Sequence, residues 1–516
     1  MTKFAELLRR CTRLALILLA LATPSLADQP GRDSPANGVL RLLPPPSTTR
    51  HEITLDGRRL GYAATAGTLP LRDAKGETTA EIFHVAYTLD PPASDRPVTF
   101  VFNGGPGAAS AFLNLGAIGP RNVVFAENGN YLPTPAALAD NPDSWLDVTD
   151  LVFVDPVGTG YSRAADASDE AEKRFLGVRQ DAEAMAAFAR LYLARAGRTL
   201  SPVFLAGESY GGFRAALLAK NLQTEGGIAV NGAVLISPAL EFALLFSDEY
   251  MPLKWMLPLP SLAAVNLERQ GVTGREALET RLRDIERFAR TDYLVFLAAG
   301  MQAPSDALTE SLVRFTGLSP DLVRRHYGRI SASVFMKEYD RANGRVLSRY
   351  DGSVSRPDPN PADSRAGGPD PVLDRADSVW TPAFVRHVRD ELGYATDVTY
   401  RLLNRSISGR WDFGTSPNRQ GYAGALEDLQ AARVLNPALQ VLIAHGLTDL
   451  ITPYFASRYL VDQLPPLAGA APIELRLYGG GHMMYMRPES RRALKADARA
   501  LYERALAKRP PDGTMR

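Results

Sequence analysis

Six short apolar runs, each stopped by Gly or Pro, constrain this chain more than any other feature: Val98–Phe102, Leu151–Val154, Val203–Ala206, Ala233–Ile236, Val441–Ala444 and Ile473–Leu477. Continuous Val/Ile/Leu-rich runs of this length are what strands covered on both faces look like, and that is the condition of a parallel sheet. Helical patterns lie between several of them, at Asp181–Arg195, Phe213–Leu222 and Leu426–Leu435. Strand alternating with helix predicts a mostly parallel sheet with helices on both faces.

Ahead of these runs, alternating patterns such as His51-Glu-Ile-Thr-Leu and Glu81-Ile-Phe-His-Val-Ala-Tyr predict antiparallel strands between about residues 49 and 90. Residues 28–48, rich in Pro, Ser and Gly, read as an unstructured lead. The fourth and fifth runs are about 200 residues apart, yet they look like neighbours in one sheet. The stretch between them is helical in character (Arg275–Arg290, Ser305–Phe315, Ala383–Leu392) and is broken at Ser355–Pro371 by a Pro/Asp/Gly-rich segment expected to be a mobile loop. The economical organisation is therefore one α/β core in two parts, 49–240 and 421–510, interrupted by a helical cap insertion over 241–420.

The N-terminus has the layout of a secretory signal. Lys3, Arg9, Arg10 and Arg13 precede the apolar run Leu14–Ala22, and Thr23-Pro-Ser-Leu-Ala27 supplies small residues for a cut after Ala27. The apolar run is about half the ~20 residues that cross a bilayer, so export to the periplasm or outside the cell is expected, without stable membrane insertion after cleavage. Removing residues 1–27 takes away four basic residues and one acidic one, leaving 54 basic against 56 acidic. Such a balance gives no basic face for nucleic acid. Cys11, within the signal, is the only cysteine, so the mature chain has no disulfide, catalytic thiol or thiolate metal site.

Gly207-Glu-Ser209-Tyr-Gly211 follows the run Val203–Ala206 directly and opens a helical pattern. A serine raised on a strained strand-to-helix turn has this setting; the glycines two residues to either side are needed because side chains there would strike the neighbouring strand and helix. Serine is a poor nucleophile at neutral pH without a base, and the base needs a carboxylate to hold its tautomer. The order Ser, Asp, His on successive strand-end loops is met by Asp449, just after Val441–Ala444, and His482, just after Ile473–Leu477. His51, His84, His326, His387 and His445 have no comparable setting. An oxyanion needs two backbone donors; Tyr210, next after the serine, can supply one, and the glycine loop Asn103-Gly-Gly-Pro-Gly107 after Val98–Phe102 the other. No cluster of His, Asp or Glu has metal-ligand spacing and no glycine loop is of phosphate-binding type, so neither metal nor organic cofactor is expected.

In order, Phe102-Asn-Gly-Gly-Pro-Gly107, Asn141-Pro-Asp-Ser-Trp145, Asp155-Pro-Val-Gly-Thr-Gly-Tyr-Ser162, Gly207-Glu-Ser-Tyr-Gly-Gly212, Gly446-Leu-Thr-Asp449 with Pro453, and Gly480-Gly-His482-Met483 resemble the serine carboxypeptidase family, in a bacterial-type form. The resemblance implies the α/β-hydrolase fold, a triad of Ser209, Asp449 and His482, and an oxyanion hole from the amides of Gly105 and Tyr210. It also implies that Asn103, Gly104, Glu208 and Met483 contact the substrate, Asn103 and Glu208 at the terminal carboxylate of a peptide with a free C-terminus. The chain departs from the family at Ala117, where a second carboxylate-binding glutamate is expected, at Ala108 in place of a cysteine, and by one residue in the block at Asp155. An esterase or acyltransferase with the same triad is the alternative, and a non-catalytic exported binding protein a more distant one.

Overall fold

In the computed structural model the described residues are 38–166, 168–414 and 423–507; the expected signal at 1–27 lies outside them. Nine strands carry the fold: β1 Ser47–Leu55, β2 Arg58–Arg72, β3 Thr78–Leu89, β4 Val98–Phe102, β5 Asp150–Val154, β6 Val203–Glu208, β7 Val230–Ile236, β8 Gln440–Gly446 and β9 Ile473–Tyr478. They lie in the order β1-β2-β3-β5-β4-β6-β7-β8-β9, with the short strand Arg163–Ala164 paired to β3 off this path. The first three strands, and the β3–β5 pair, are antiparallel, whereas the six from β5 to β9 run parallel. The two strands 200 residues apart in sequence, β7 and β8, are indeed partners, with Ala233 opposite Val441 and Ile236 opposite Ala444.

Why the runs lack alternation is plain from the packing. Along β4, β6, β7 and β8, Phe100, Leu205, Leu235 and Ile443 turn to one face, where they meet Met185 and Phe188 of helix α1 (Val178–Arg195), Phe213 of α2 (Tyr210–Thr224) and Leu429 of α3 (Leu426–Leu435). Their neighbours Val101, Ala206, Val234 and Leu442 turn to the other face, against Leu494, Leu501 and Tyr502 of α4 (Pro488–Leu506). Both faces are apolar because both are covered. This is the α/β-hydrolase architecture: a mixed sheet with helices on both sides.

Two sequence expectations are corrected. The lead is ordered from Gly38: Gly38–Leu42 forms a helical turn, Leu40 is buried, Val39 and Leu43 pack on the main core, and β1 already begins at Ser47. Thr396 Oγ1 also donates to the Leu42 carbonyl, so a distant segment holds the lead down. The segment 355–371 is likewise tied in place. Ser355–Pro357 pairs with Arg345–Leu347, the buried Lys337 donates to Asp358 and to the Asn360 carbonyl, and Arg356 Nε donates to the Pro369 carbonyl.

The stretch between β7 and β8 is mostly helical, as expected, but it is two things. Leu259–Arg269, Arg275–Phe288 and Asp306–Thr316 enclose a separate core of Leu262, Val265, Leu282, Leu312 and Phe335. The later helix Leu373–Arg386 sends Trp380 and Phe384 into the main core beside Phe112.

Candidate active site

Parallel strands β4, β6, β8 and β9 deliver the loops that follow them to one edge of the sheet, where open α/β sheets build their sites. At the end of β6, Ser209 has φ 58° and ψ −121°, a conformation a non-glycine residue holds only at a cost of about 1–3 kcal/mol. Its amide donates to the Ile236 carbonyl at 2.9 Å, and its carbonyl accepts from the Gly212 amide at 3.0 Å, which fixes the turn. The flanking glycines are obligatory for the reason read from sequence. A Cβ on Gly207 would stand 2.0 Å from the Gly211 carbonyl oxygen, and one on Gly211 would stand 2.4 Å from that of Phe102, at the end of β4. The loop after β4 rests on this turn: a Cβ on Gly104 would come within 2.7 Å of the Tyr210 amide nitrogen and 2.8 Å of Ser209 Cβ. Tyr210 is the first residue of α2, so its amide has no intrahelical acceptor and lies at the positive end of the helix.

His482 and Asp449 meet from two other loops. His482 Nδ1 is 2.8 Å from Asp449 Oδ2, and both side chains are buried. Asp449 is an acceptor throughout: the amides of Ile451 and Thr452 donate to Oδ1 at 2.9 Å each, and the Thr452 hydroxyl donates to Oδ2 at 2.7 Å. With Nδ1–H committed to this carboxyl, Nε2 is the ring nitrogen left to work as a base. Burial opposes charge on the ring, but the charge and hydrogen bond of Asp449 outweigh it and raise His482 above its ordinary value. The ring is also held by the edge of Tyr350, 5.4 Å between centroids at 84°, and its backbone amide donates to the Tyr350 carbonyl at 2.6 Å. By contrast, burial holds His84 and His445 down to about 4, and His387 bonds Tyr87 and Glu391 away from the site.

Ser209 and His482 share a cleft with Asn103, Gly104, Gly105, Glu208 and Met483. Every residue assigned from sequence thus lies in or against one site: Asp449 behind His482, Tyr210 under the Gly104 turn. Within the cleft wall Glu208 is 4 % exposed, and burial pushes its carboxyl up to about 7, with the Asp449 charge adding to that and His482, Tyr485 and Asn103 opposing it. Asn103 Nδ2 and the Tyr485 hydroxyl both donate to Glu208 Oε2, the latter at 2.8 Å. Asn103 is held in turn by the Leu113 amide at 3.0 Å on its Oδ1. Arg214 donates to the Asn103 carbonyl at 2.8 Å and pairs with the buried Asp181 at 2.6 Å.

Sequence reading missed Tyr350, Leu373 and Leu403, which with Ala108 and Phe112 complete the cleft wall, and Tyr485 behind Glu208. The first three come from the stretch between β7 and β8, where nothing local marks a residue as lining a site built elsewhere. Tyr485 had a faint signal, a polar-tipped ring three residues after His482 in an otherwise apolar run.

The sheet and these strand-end loops have the arrangement of the α/β-hydrolase fold. Residues 61–234 match the model of the serine carboxypeptidase family. It is 32% identical over 149 residues to serine carboxypeptidase-like 50 of Arabidopsis thaliana, covering 28% of this chain and 31% of that protein. To serine-type carboxypeptidase F of Aspergillus niger it is 29% identical over 153 residues, 28% of this chain and 24% of the other. The chain thus matches about a third of the length of its curated relatives. In structure it is similar to a prohormone-processing carboxypeptidase from Saccharomyces cerevisiae, with a TM-score of 0.51 and 17% identity over 86% of this chain and 90% of that one, a likeness of fold.

Proposed function

We propose that this protein is an exported serine carboxypeptidase that removes the last residue of a peptide through an acyl-enzyme. The observation that carries the reading is the 2.8 Å pair of His482 Nδ1 with Asp449, set in the same cleft as a serine held at φ 58°. Ser209 Oγ attacks the scissile carbonyl while His482 Nε2 takes its proton, and Asp449 steadies the imidazolium. The amides of Gly105 and Tyr210 receive the oxyanion, each such donor typically worth about 10²–10³ in rate. His482 then protonates the leaving amine, and water activated by the same ring releases the acyl group. The Ser209 hydroxyl makes no hydrogen bond among the described residues; nucleophile–base pairs are often open without substrate and close in the bound complex.

Asn103, Gly104 and Glu208 hold the terminal carboxylate in this reading, and Met483 lines the same wall. Two carboxylates share a site only with a proton between them, and a Glu208 that titrates near 7 still carries that proton in weakly acidic solution. Export rests on residues 1–27; among the described residues no helix is long and apolar enough to cross a membrane. The test is a peptide library with free and amidated C-termini. Loss of single terminal residues from the free peptides alone is expected. Turnover of esters with all peptides left intact would replace this reading with the esterase.

A further inference from the structure

Glu208 is gripped from behind by a residue 277 positions further along the chain. Tyr485 is fully buried in the single helical turn Met484–Met486, and its hydroxyl donates to Glu208 Oε2. Asn103 Nδ2 donates to the same oxygen. Neither donor is free to leave. Asn103 is pinned through Leu113 and Arg214, and the Tyr485 ring lies so close to Gly116 that a Cβ there would be 2.9 Å from its Cε2. The next residue, Ala117, is buried and brings no acid of its own to Glu208. Oε2 therefore receives two donors, whereas Oε1 makes no hydrogen bond among the described residues and belongs to a side chain that lines the cleft.

An oxygen that already accepts two fixed donors is the poor place for a carboxyl's own proton, because that proton would meet them head on. We propose that Tyr485 is a positioning residue for substrate recognition: by occupying Oε2 it sets the proton of neutral Glu208 on Oε1, the oxygen that donates to the peptide's terminal carboxylate. This rests on the carboxypeptidase reading above. A phenol suits the task better than a second acid would. Burial drives the Tyr485 hydroxyl well above its ordinary value, so it stays a donor across the working pH range and never competes for the proton. The other titratable groups whose charge is felt at Glu208 are His482 and Asp449 on the strand-end loops, Tyr350 on the cleft wall and Tyr131 beside Trp380.

The donor from Tyr485 favours the ionised form of Glu208, so removing it must raise the pH at which Glu208 ionises. The infrared carbonyl band of protonated Glu208, identified as the one absent from Glu208→Gln, is titrated in wild type and Tyr485→Phe. In parallel, KM against pH is measured for one peptide with a free C-terminus and for its amide. Wild type should titrate near 7, and Tyr485→Phe about one pH unit higher. The rise of KM at high pH should move with it, while kcat changes less than about threefold, a pattern that loss of packing would not produce. Incorporation of 3-fluorotyrosine at position 485, a stronger donor of nearly the same shape, should move the midpoint down. If neither substitution moves it while Glu208→Gln flattens KM against pH, the role of Tyr485 is overturned and the carboxypeptidase reading stands. If Glu208→Gln changes nothing, or the amide is cleaved as well as the acid, both fall together.

Discussion

The stretch between β7 and β8 contains two regions that relate to the cleft in opposite ways. Residues of the first, through Phe335, close on a second core that also takes in Leu447 and Leu450 on either side of Asp449, and they reach the cleft wall through the strap Ser348–Ser353. There the Leu450 amide donates to the Arg349 carbonyl, that of His482 to Tyr350, and that of Gly352 to Thr448, while the Thr448 hydroxyl donates to Asp351 at 2.7 Å. The second region shares the core under the sheet: Trp380 packs against Phe112, a cleft residue, and Leu373 and Leu403 are cleft wall themselves. The helical lobe thus braces the loops that carry Asp449 and His482, and the second region shapes what the cleft can hold. Being an insertion in sequence says nothing about being separate in structure.

That contrast can be broken experimentally, and the largest effect sets the scale. Ser209→Ala, confined to the strand-end machinery, should cost about 10⁴–10⁶ in kcat and leave the melting temperature nearly unchanged. Next comes a matched pair in the two regions. Trp380→Ala should destabilise by about 3–5 kcal/mol and raise KM at least severalfold, because Trp380 supports both Phe112 and the Tyr131 hydroxyl. Leu312→Ala, fully buried in the lobe, should cost about 2–5 kcal/mol while kcat and KM per folded molecule stay within about twofold. Equal effects of the two on KM would erase the distinction drawn here. The smallest effect belongs to the strap: Thr448→Val removes the hydrogen bond to Asp351 and should cost about 1 kcal/mol in stability. It should lower kcat by less than about tenfold with KM held, since it loosens the loop before Asp449 without touching the cleft.

The same contrast explains what could be read in the residues and what could not. Each of the six parallel strands was visible because burial on both faces leaves an uninterrupted apolar run; β4 coincides with its run, and β6 and β8 extend theirs by two residues into the site loops. Ser209, Asp449 and His482 were visible because the turns that present them demand glycine close by. The division of the insertion was not, since Trp380 and Leu312 sit in helices of similar pattern and differ only in which core receives them. The ordered start at Gly38 and the pinned segment 355–371 were missed for a related reason. Their composition is that of loops, and what orders them is contact with Thr396 and Lys337, residues local patterning does not connect to them. Tyr485 shows the limit most clearly, because its meaning depends on one oxygen of a side chain 277 residues away.

The central claim is that Ser209, activated by the His482–Asp449 pair, is the nucleophile of this cleft. Treating the purified protein with a fluorophosphonate and locating the adduct by peptide mass spectrometry tests it most directly. The account predicts a single adduct on Ser209, formed in step with loss of activity and formed far more slowly in His482→Ala. An adduct on a different serine, or peptide hydrolysis that persists with Ser209 fully modified, would contradict it.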